Sequence, residues 1–291
     1  MVKFIATDMD GTLLDPHQKV SKENIEAIER ARREGVEVIV ATGRSYQEAR
    51  FALDEANIEC PVICVNGAAV FSSKGEVIAS NPIQVNTVKA AAEYLEQNGI
   101  YFEIYTNKGT YSKDYDRATA TIVDIILTAN PDLDPLKVTE MARKRVEIGQ
   151  VKSIPSYDLL FEDPSVEYYK LLVFSPDFQA LEEASRVLKQ NENLAVTSSG
   201  RENLEINSKD AQKGIALEKY IKARGGSMEE VMAIGDNYND VSMLQRVGRS
   251  VAMGNAPLDI QQQCDFVTDT NEENGVANAI LLALAEQTAN K

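Results

Sequence analysis

Val2-Lys3-Phe4-Ile5-Ala6-Thr7 runs directly into Asp8-Met9-Asp10-Gly11-Thr12, and the fold is read outward from here. A short β-rich run delivers two carboxylates, one residue apart, to the edge of a sheet. A glycine then lets the backbone turn sharply. Two acids so placed can bind a hard cation, attack an electrophile and move a proton, which points to phosphoryl transfer.

Beyond this stretch the first third of the chain alternates strand and helix. Lys22–Glu34 reads as a helix: Ser21 can cap it, Ile25, Ile28 and Ala31 fall on one face, and Gly35 ends it. Val36–Ala41 reads as a buried strand ending in Thr42-Gly43-Arg44, Ser45–Ala56 as a helix, and Pro61–Val65 as a strand ending in Asn66-Gly67. Near-continuous Val/Ile runs between helices imply a parallel sheet covered on both faces. From about Asn81 to Asn207 the pattern changes, and Tyr101–Thr106 and Thr110–Ser112 flank Asn107-Lys108-Gly109 as an antiparallel hairpin. Alternation resumes near Ser208. Lys213–Arg224 reads as a helix, Val231–Ile234 as a strand ending in Gly235-Asp236-Asn237-Tyr238-Asn239-Asp240, and Val276–Glu286 as a closing amphipathic helix. The expected fold is α/β, a doubly wound, Rossmann-like parallel-sheet core. It comprises residues 1-83 and 208-291, interrupted by an α+β insert at 84-207.

Composition limits the partners. The 291 residues are enough for about two domains. A net charge of −15 argues against nucleic acid, whose phosphate backbone selects Lys/Arg faces. An acidic chain that binds phosphate needs a local cation, which favours a metal. Cys60, Cys64 and Cys264 form no CxxC or paired framework, and Cys60 and Cys64, at an apolar strand, read as reduced core thiols. No basic-then-apolar leader is seen, and no apolar run approaches the roughly 20 residues that span a bilayer. A soluble, cytoplasmic monomer is expected. His17 is the sole histidine, which excludes a His-metal cluster; it reads as a surface loop residue.

Ligands of parallel sheets bind outside the carboxyl ends of the strands. The polar clusters Asp8/Asp10, Thr42/Gly43, Asn66/Gly67 and Asp236/Asn239/Asp240 all fall at such ends. Taken singly, each could be a solvated turn or a helix cap; their convergence on one sheet edge is what carries chemistry. Phosphoryl transfer is mostly positioning and electrostatic stabilisation. At about 4 Å and an effective dielectric of about 20, each like-charge pair costs roughly 4 kcal/mol. Asp8, Asp10 and Asp236 would therefore repel an anionic substrate without a counter-cation. Mg2+ suits an all-oxygen, partly hydrated site. Lys213, at a helix start where free N–H groups also favour anions, is the best source of a second positive charge.

DMDGT from Asp8, ATGR from Ala41, KG from Lys213 and GDNYND from Gly235 resemble, in order and spacing, the four motifs of the haloacid dehalogenase superfamily. The closest likeness is to its Cof-type phosphatases, subfamily IIB, which carry a large α+β cap between the second and third motifs. The resemblance implies Asp8 as the nucleophile that forms an aspartyl-phosphate and Asp10 as general acid and then base. It implies Mg2+ held by Asp8, the Asp10 carbonyl and Asp236, with Asp240 supporting that shell. Thr42, the Gly43 and Met9 N–H groups and Asn239 would cradle the phosphate, while Lys213 neutralises phosphate and nucleophile. Met9 itself reads as a core side chain and Arg44 as a structural ion pair in preference to a phosphate ligand. Asn66 and Gly67 read either as lining for the leaving group or as a tight turn.

An insert at the ligand edge reads as a lid hinged near Ser80–Gln84 and Asn207–Asp210. Its candidate substrate contacts are Tyr105-Thr106-Asn107 and Ser198-Ser199-Gly200-Arg201; Arg143-Lys144-Arg145 reads as a solvated helix face. The expected function is a Mg2+-dependent phosphatase of small phosphorylated metabolites, sugar phosphates or nucleotide- and flavin-type monophosphates. The alternatives are a phosphomutase of the same architecture and a non-catalytic phosphate-binding regulator.

Overall fold

The computed structural model describes residues 1–113, 119–120, 123, 134, 136–140, 151–198 and 202–289. In chain order the strands of the first segment are β1 (Phe4–Thr7), β2 (Glu37–Ala41), β3 (Val62–Cys64), β4 (Ala69–Phe71) and β5 (Val77–Ser80). The insert contributes β6 (Tyr101–Thr106), β7 (Gly109–Ser112), β8 (Val151–Ser153), β9 (Tyr168–Phe174), β10 (Leu194–Thr197) and β11 (Asn203–Ser208). The chain returns with β12 (Val231–Gly235), β13 (Arg249–Ala252) and β14 (Phe266–Val267).

The chain divides into two compact units, Met1–Ser80 with Asp210–Lys291, and Asn81–Lys209. These limits differ by a few residues from those read in the sequence, because strand pairing reaches further than local pattern. The Ile83 N–H donates to the Tyr168 carbonyl at 2.7 Å, and Ser208 pairs with Leu194. Both flanks thus belong to the insert's own sheet.

The first unit holds an eight-stranded sheet of order β14-β13-β12-β1-β2-β3-β4-β5. Its strands from β14 to β3 are parallel. All four residues of β1 and all five of β12 are buried, as strands covered on both faces must be. Phe4, Ala6, Ile39, Val231 and Ala233 share a core with Leu217, Tyr220 and Ile221 of the helix Lys213–Ala223. Ser21 caps the helix Lys22–Arg33, and Ser45 and Glu48 form a reciprocal capping box on the helix Tyr46–Glu55. The hairpin β4–β5 was not read from the sequence. Its strands are short, and Val77 and Ile78 on the edge strand are exposed, so no alternation marks them. The last helix, Gly275–Ala289, buries Val276, Ile280 and Leu284 but leaves Leu281 and Leu282 partly exposed, so it is apolar on more than one face.

The insert is a six-stranded sheet of order β10-β11-β9-β6-β7-β8. Neighbours are antiparallel except β7 and β8. The helices Val85–Gln97 and Phe178–Leu188 cover one face through Leu95, Leu181 and Leu188, packed on Phe102, Ile104, Leu171 and Val173. Lys170 and Glu103 are buried, and the Lys170 ammonium lies 4.6 Å from the Tyr105 ring centroid. Asn107 holds the loop it sits in: its Nδ2 donates to the Ser165 carbonyl at 2.9 Å and its Oδ1 accepts the Glu167 N–H. Arg143-Lys144-Arg145 and Ser199-Gly200-Arg201 lie outside the described residues. Among the described residues no helix is long and apolar enough to cross a membrane. Cys60 and Cys64 are free and buried, and burial pushes both thiols up, Cys60 to about 11.

Lys213 opens its helix, and the next residue has no room for a side chain. A Cβ on Gly214 would lie 1.9 Å from the Ser242 carbonyl oxygen. Gly225, at φ +73, has open space around it. Gly214→Ala is expected to lower stability by about 2 kcal/mol or more through overpacking, against about 1 kcal/mol for the backbone strain of Gly225→Ala. Denaturant melts of the two variants check this ranking.

Candidate active site

The site forms where the sheet's connections part. From β1 the chain steps outward to β2 and β3; from β12 it steps the other way to β13 and β14. A crevice at such a switch point is the usual ligand site of an open α/β sheet. The Asp8 N–H continues the ladder by donating to the Ile234 carbonyl at 3.0 Å, which sets the Asp8 side chain beside the end of β12.

Lys213 is fully buried and holds the cluster together. Its Nζ donates to Asp8 Oδ1 at 2.5 Å and to Asp240 Oδ1 at 2.7 Å. Asp240 Oδ2 accepts the N–H groups of Asp236 and Asn237 at 3.1 and 3.0 Å. Both Asp240 oxygens are therefore engaged, and this residue shapes the loop after β12 and steadies the ammonium. Gly235 admits that turn, since a Cβ there would lie 2.6 Å from Asp240 Cβ. Thr12 Oγ1 donates to Asp236 Oδ1 at 2.8 Å, tying the loop after β1 to the loop after β12. A Cβ on Gly11 would come 2.5 Å from Asp236 Oδ2, so only glycine lets this carboxylate in.

The charges are out of balance. Burial raises the Asp8 carboxyl well above the usual range, and Asp240 pushes the same way, against the pull of Lys213. Burial and Asp240 push Asp236 up to about 6. Burial works to lower the Lys213 pKa, but Asp240 and Asp8 more than offset it and hold the ammonium above the ordinary lysine value. Asp8, Asp236 and Asp240 each offer an oxygen within 4.8 Å of the others. Three carboxylates against one ammonium leave two surplus negative charges, which a divalent cation balances. An all-oxygen donor set is what a hard cation takes, so the residues fit a divalent metal. Asp8 and Asp236 would be the better ligands for one, because both oxygens of Asp240 are already engaged.

The other residues read from the sequence surround this cluster. Met9 is buried as a core side chain. Asp10 faces Arg44, whose Nε and Nη2 donate to its two carboxylate oxygens at 2.8 and 2.5 Å. Arg44 also donates to Gln18 Oε1. Thr42 is buried, with its Oγ1 accepting the Arg44 N–H at 3.1 Å. Gly43 lies against Asn66: a Cβ there would be 3.2 Å from Asn66 Oδ1, which also accepts Asn239 Nδ2 at 3.2 Å. The turn Val65-Asn66-Gly67 has positive φ at all three residues, and a Cβ on Gly67 would meet the Gln212 carbonyl at 2.5 Å. This turn thus packs on the residue that precedes Lys213. His17 is exposed. Thr12 carries no charge and forms no spaced pair, so its tie to Asp236 could not be read from the sequence.

Comparison with known proteins agrees with the fold. A family model described as haloacid dehalogenase-like hydrolase matches residues 5–280. The chain belongs to this family. Phosphatase YwpJ of Bacillus subtilis is 35% identical over 95% of this chain and 98% of its own length. The 5-amino-6-(5-phospho-D-ribitylamino)uracil phosphatase YwtE of the same organism is 36% identical over 99% of this chain and all of its own. The solved structure of a haloacid dehalogenase-like hydrolase from B. subtilis superposes with a TM-score of 0.83 at 34% identity, covering 96% of this chain and 99% of that one. Within the family this protein is a phosphatase of the Cof type.

Lys213→Met would leave Asp8 and Asp240 buried without their counter-charge. It is expected to cost about 3–5 kcal/mol of stability, read from urea melts at pH 7.

Proposed function

We propose that this protein is a Mg2+-dependent phosphatase of small phosphorylated metabolites that works through an aspartyl-phosphate. The observation that carries the reading is the buried Asp8–Lys213–Asp240 chain of charges beside Asp236. It presents a carboxylate nucleophile next to a fixed ammonium and oxygens suited to a hard cation, in a chain whose relatives are phosphatases.

Asp8 is the nucleophile. One of its carboxylate oxygens attacks the phosphorus of the ester, the P–O bond to the leaving group breaks, and Asp10 gives that oxygen its proton. Water then attacks the phosphorus of the aspartyl-phosphate. Asp10 takes the water's proton, the acyl-phosphate P–O bond breaks, and Asp8 and inorganic phosphate are released. Arg44 orients Asp10 through its two parallel N–H···O bonds. Lys213 keeps Asp8 in place and neutralises charge between it and the phosphoryl oxygens. Thr42, Asn239 and the N–H groups of Met9 and Gly43 hold the phosphoryl group. Mg2+ on Asp8, Asp236 and the Asp10 carbonyl would supply charge neutralisation for phosphate and nucleophile. The substrate is a phosphomonoester of a sugar or of a nucleotide- or flavin-related compound, the latter in keeping with the aminouracil phosphatase relative.

Hydrolysis of p-nitrophenyl phosphate is expected to need Mg2+ and to vanish with chelator; full activity in chelator would remove the metal. Asp8→Asn is expected to abolish turnover with the circular dichroism spectrum unchanged. Asp10→Asn is expected to lower turnover about 10²-fold or more, and wild-type turnover in that variant would reject the acid–base assignment. Specificity constants over a panel of sugar phosphates, nucleoside monophosphates and 5-amino-6-(5-phospho-D-ribitylamino)uracil identify the substrate class.

A further inference from the structure

The loop that carries Asp8 and Asp10 has a physical weakness. Gly11 must lack a side chain, because Asp236 Oδ2 occupies the space a Cβ would take, and it sits at φ +72. Glycine is the residue with the most conformational freedom, so the requirement that admits Asp236 also loosens the peptide next to Asp10. The ring of backbone is closed by one wide bond, from the Leu14 N–H to the Met9 carbonyl at 2.9 Å.

Asparagines from distant segments grip this ring. Asn255, on the loop after β13, donates from Nδ2 to the Gly11 carbonyl at 2.8 Å. Its Oδ1 accepts the Asn271 N–H at 3.0 Å. Asn271 in turn donates from Nδ2 to the Leu14 carbonyl at 2.9 Å. On the other side, the buried Asn24 donates to the Leu13 carbonyl at 3.2 Å and accepts the Ala277 N–H at 2.9 Å. The orientation of two of these amides is dictated by their partners. A backbone N–H can only donate, so the oxygen of Asn255 and of Asn24 must face it, and the NH2 must face the loop carbonyl. Both halves of the amide are used, a combination that an ionised aspartate or an alanine cannot supply.

We propose that Asn255 and Asn271 are positioning residues for the catalytic centre: each through its own side-chain N–H, they lock the Gly11 and Leu14 carbonyls and so restrain the Asp10–Gly11 peptide beside Asp8. This rests on the phosphatase reading for its consequence, because the restrained loop carries the proposed nucleophile, acid–base group and metal ligands. Outer groups that orient ligands commonly govern metal affinity by 10–100-fold. Asn255 is exposed and Asn271 only partly covered, so the role is one of orientation and not of core packing.

The test compares wild type with Asn255→Ala, Asn255→Asp, Asn271→Ala, the double alanine variant and Asn278→Ala. Asn278 binds Asp269 and the Glu273 carbonyl in the same region and serves as the control. In metal-free protein, amide hydrogen exchange over residues 11–14 is expected to quicken about 10-fold in each Asn255 and Asn271 variant and to stay unchanged in Asn278→Ala. Mg2+ titrated by calorimetry should bind about 10-fold more weakly, kcat should fall, and the melting temperature should hardly move. The double variant should be worse than either single one, because each amide holds its own loop carbonyl. Wild-type exchange together with wild-type Mg2+ affinity in the single Asn255 and Asn271 variants overturns the proposal, as does a loss of melting temperature with Mg2+ affinity intact. Wild-type protein that binds no Mg2+ and hydrolyses no ester overturns the phosphatase reading instead, and the exchange rates then decide by themselves whether the clamp exists.

Discussion

One buried ammonium organises the catalytic unit. Lys213 is brought out of water entirely, and what makes that tolerable is the pair of carboxylates within 2.7 Å of it, Asp8 just after β1 and Asp240 from the loop after β12. A lone charge at that depth would be prohibitive; a charge between two opposite ones, with hydrogen bonds on its protons, is sustained. Three segments far apart in sequence are thereby fixed to one another at the carboxyl ends of the central strands. Asp236 and Thr12 extend the same arrangement outward.

The cluster is held under electrostatic tension. Burial and mutual repulsion raise the Asp8 and Asp236 carboxyls, and the single ammonium does not cancel three acids. Such a site has an intrinsic demand for a further cation, the same demand that a phosphoryl-transfer reaction makes when an anionic nucleophile meets an anionic ester. Glycines make the crowding possible. Gly11 and Gly235 stand where Asp236 and Asp240 approach the backbone, and Gly214 stands where the Lys213 helix meets the Ser242 carbonyl. Small residues here serve close approach, and the flexibility they bring is countered by side-chain amides such as Asn255, Asn271 and Asn24.

Much of this was legible beforehand because strand ends are local. A buried Val/Ile run followed by Asp, Thr-Gly or Gly-Asp announces a strand and the polar loop it delivers, whatever the rest of the chain does. Arg44, read as half of an ion pair, does pair with an acid, and that acid is Asp10. Other features left no local trace. The hairpin β4–β5 is too short and too exposed to alternate. Thr12, Asn24, Asn255 and Asn271 are ordinary polar residues with no motif around them, and their partners lie up to 257 positions away. The insert begins and ends a few residues outside the bounds 84-207 read from the sequence, because pairing across its sheet recruits Ile83 and Ser208.

By itself the sequence determined the class of fold, the kind of chemistry and the polar strand ends that face the crevice, because hydrophobic periodicity and turn residues act over a few positions. Only the tertiary structure decided which of those groups touch. Asp240 spends its oxygens on Lys213 and on two backbone N–H groups, Asp10 turns toward Arg44, and the remote amides of Asn255 and Asn271 seize the loop after β1. Those choices are settled by burial and by which donors meet which acceptors across the sheet, quantities that exist only once the chain has closed on itself.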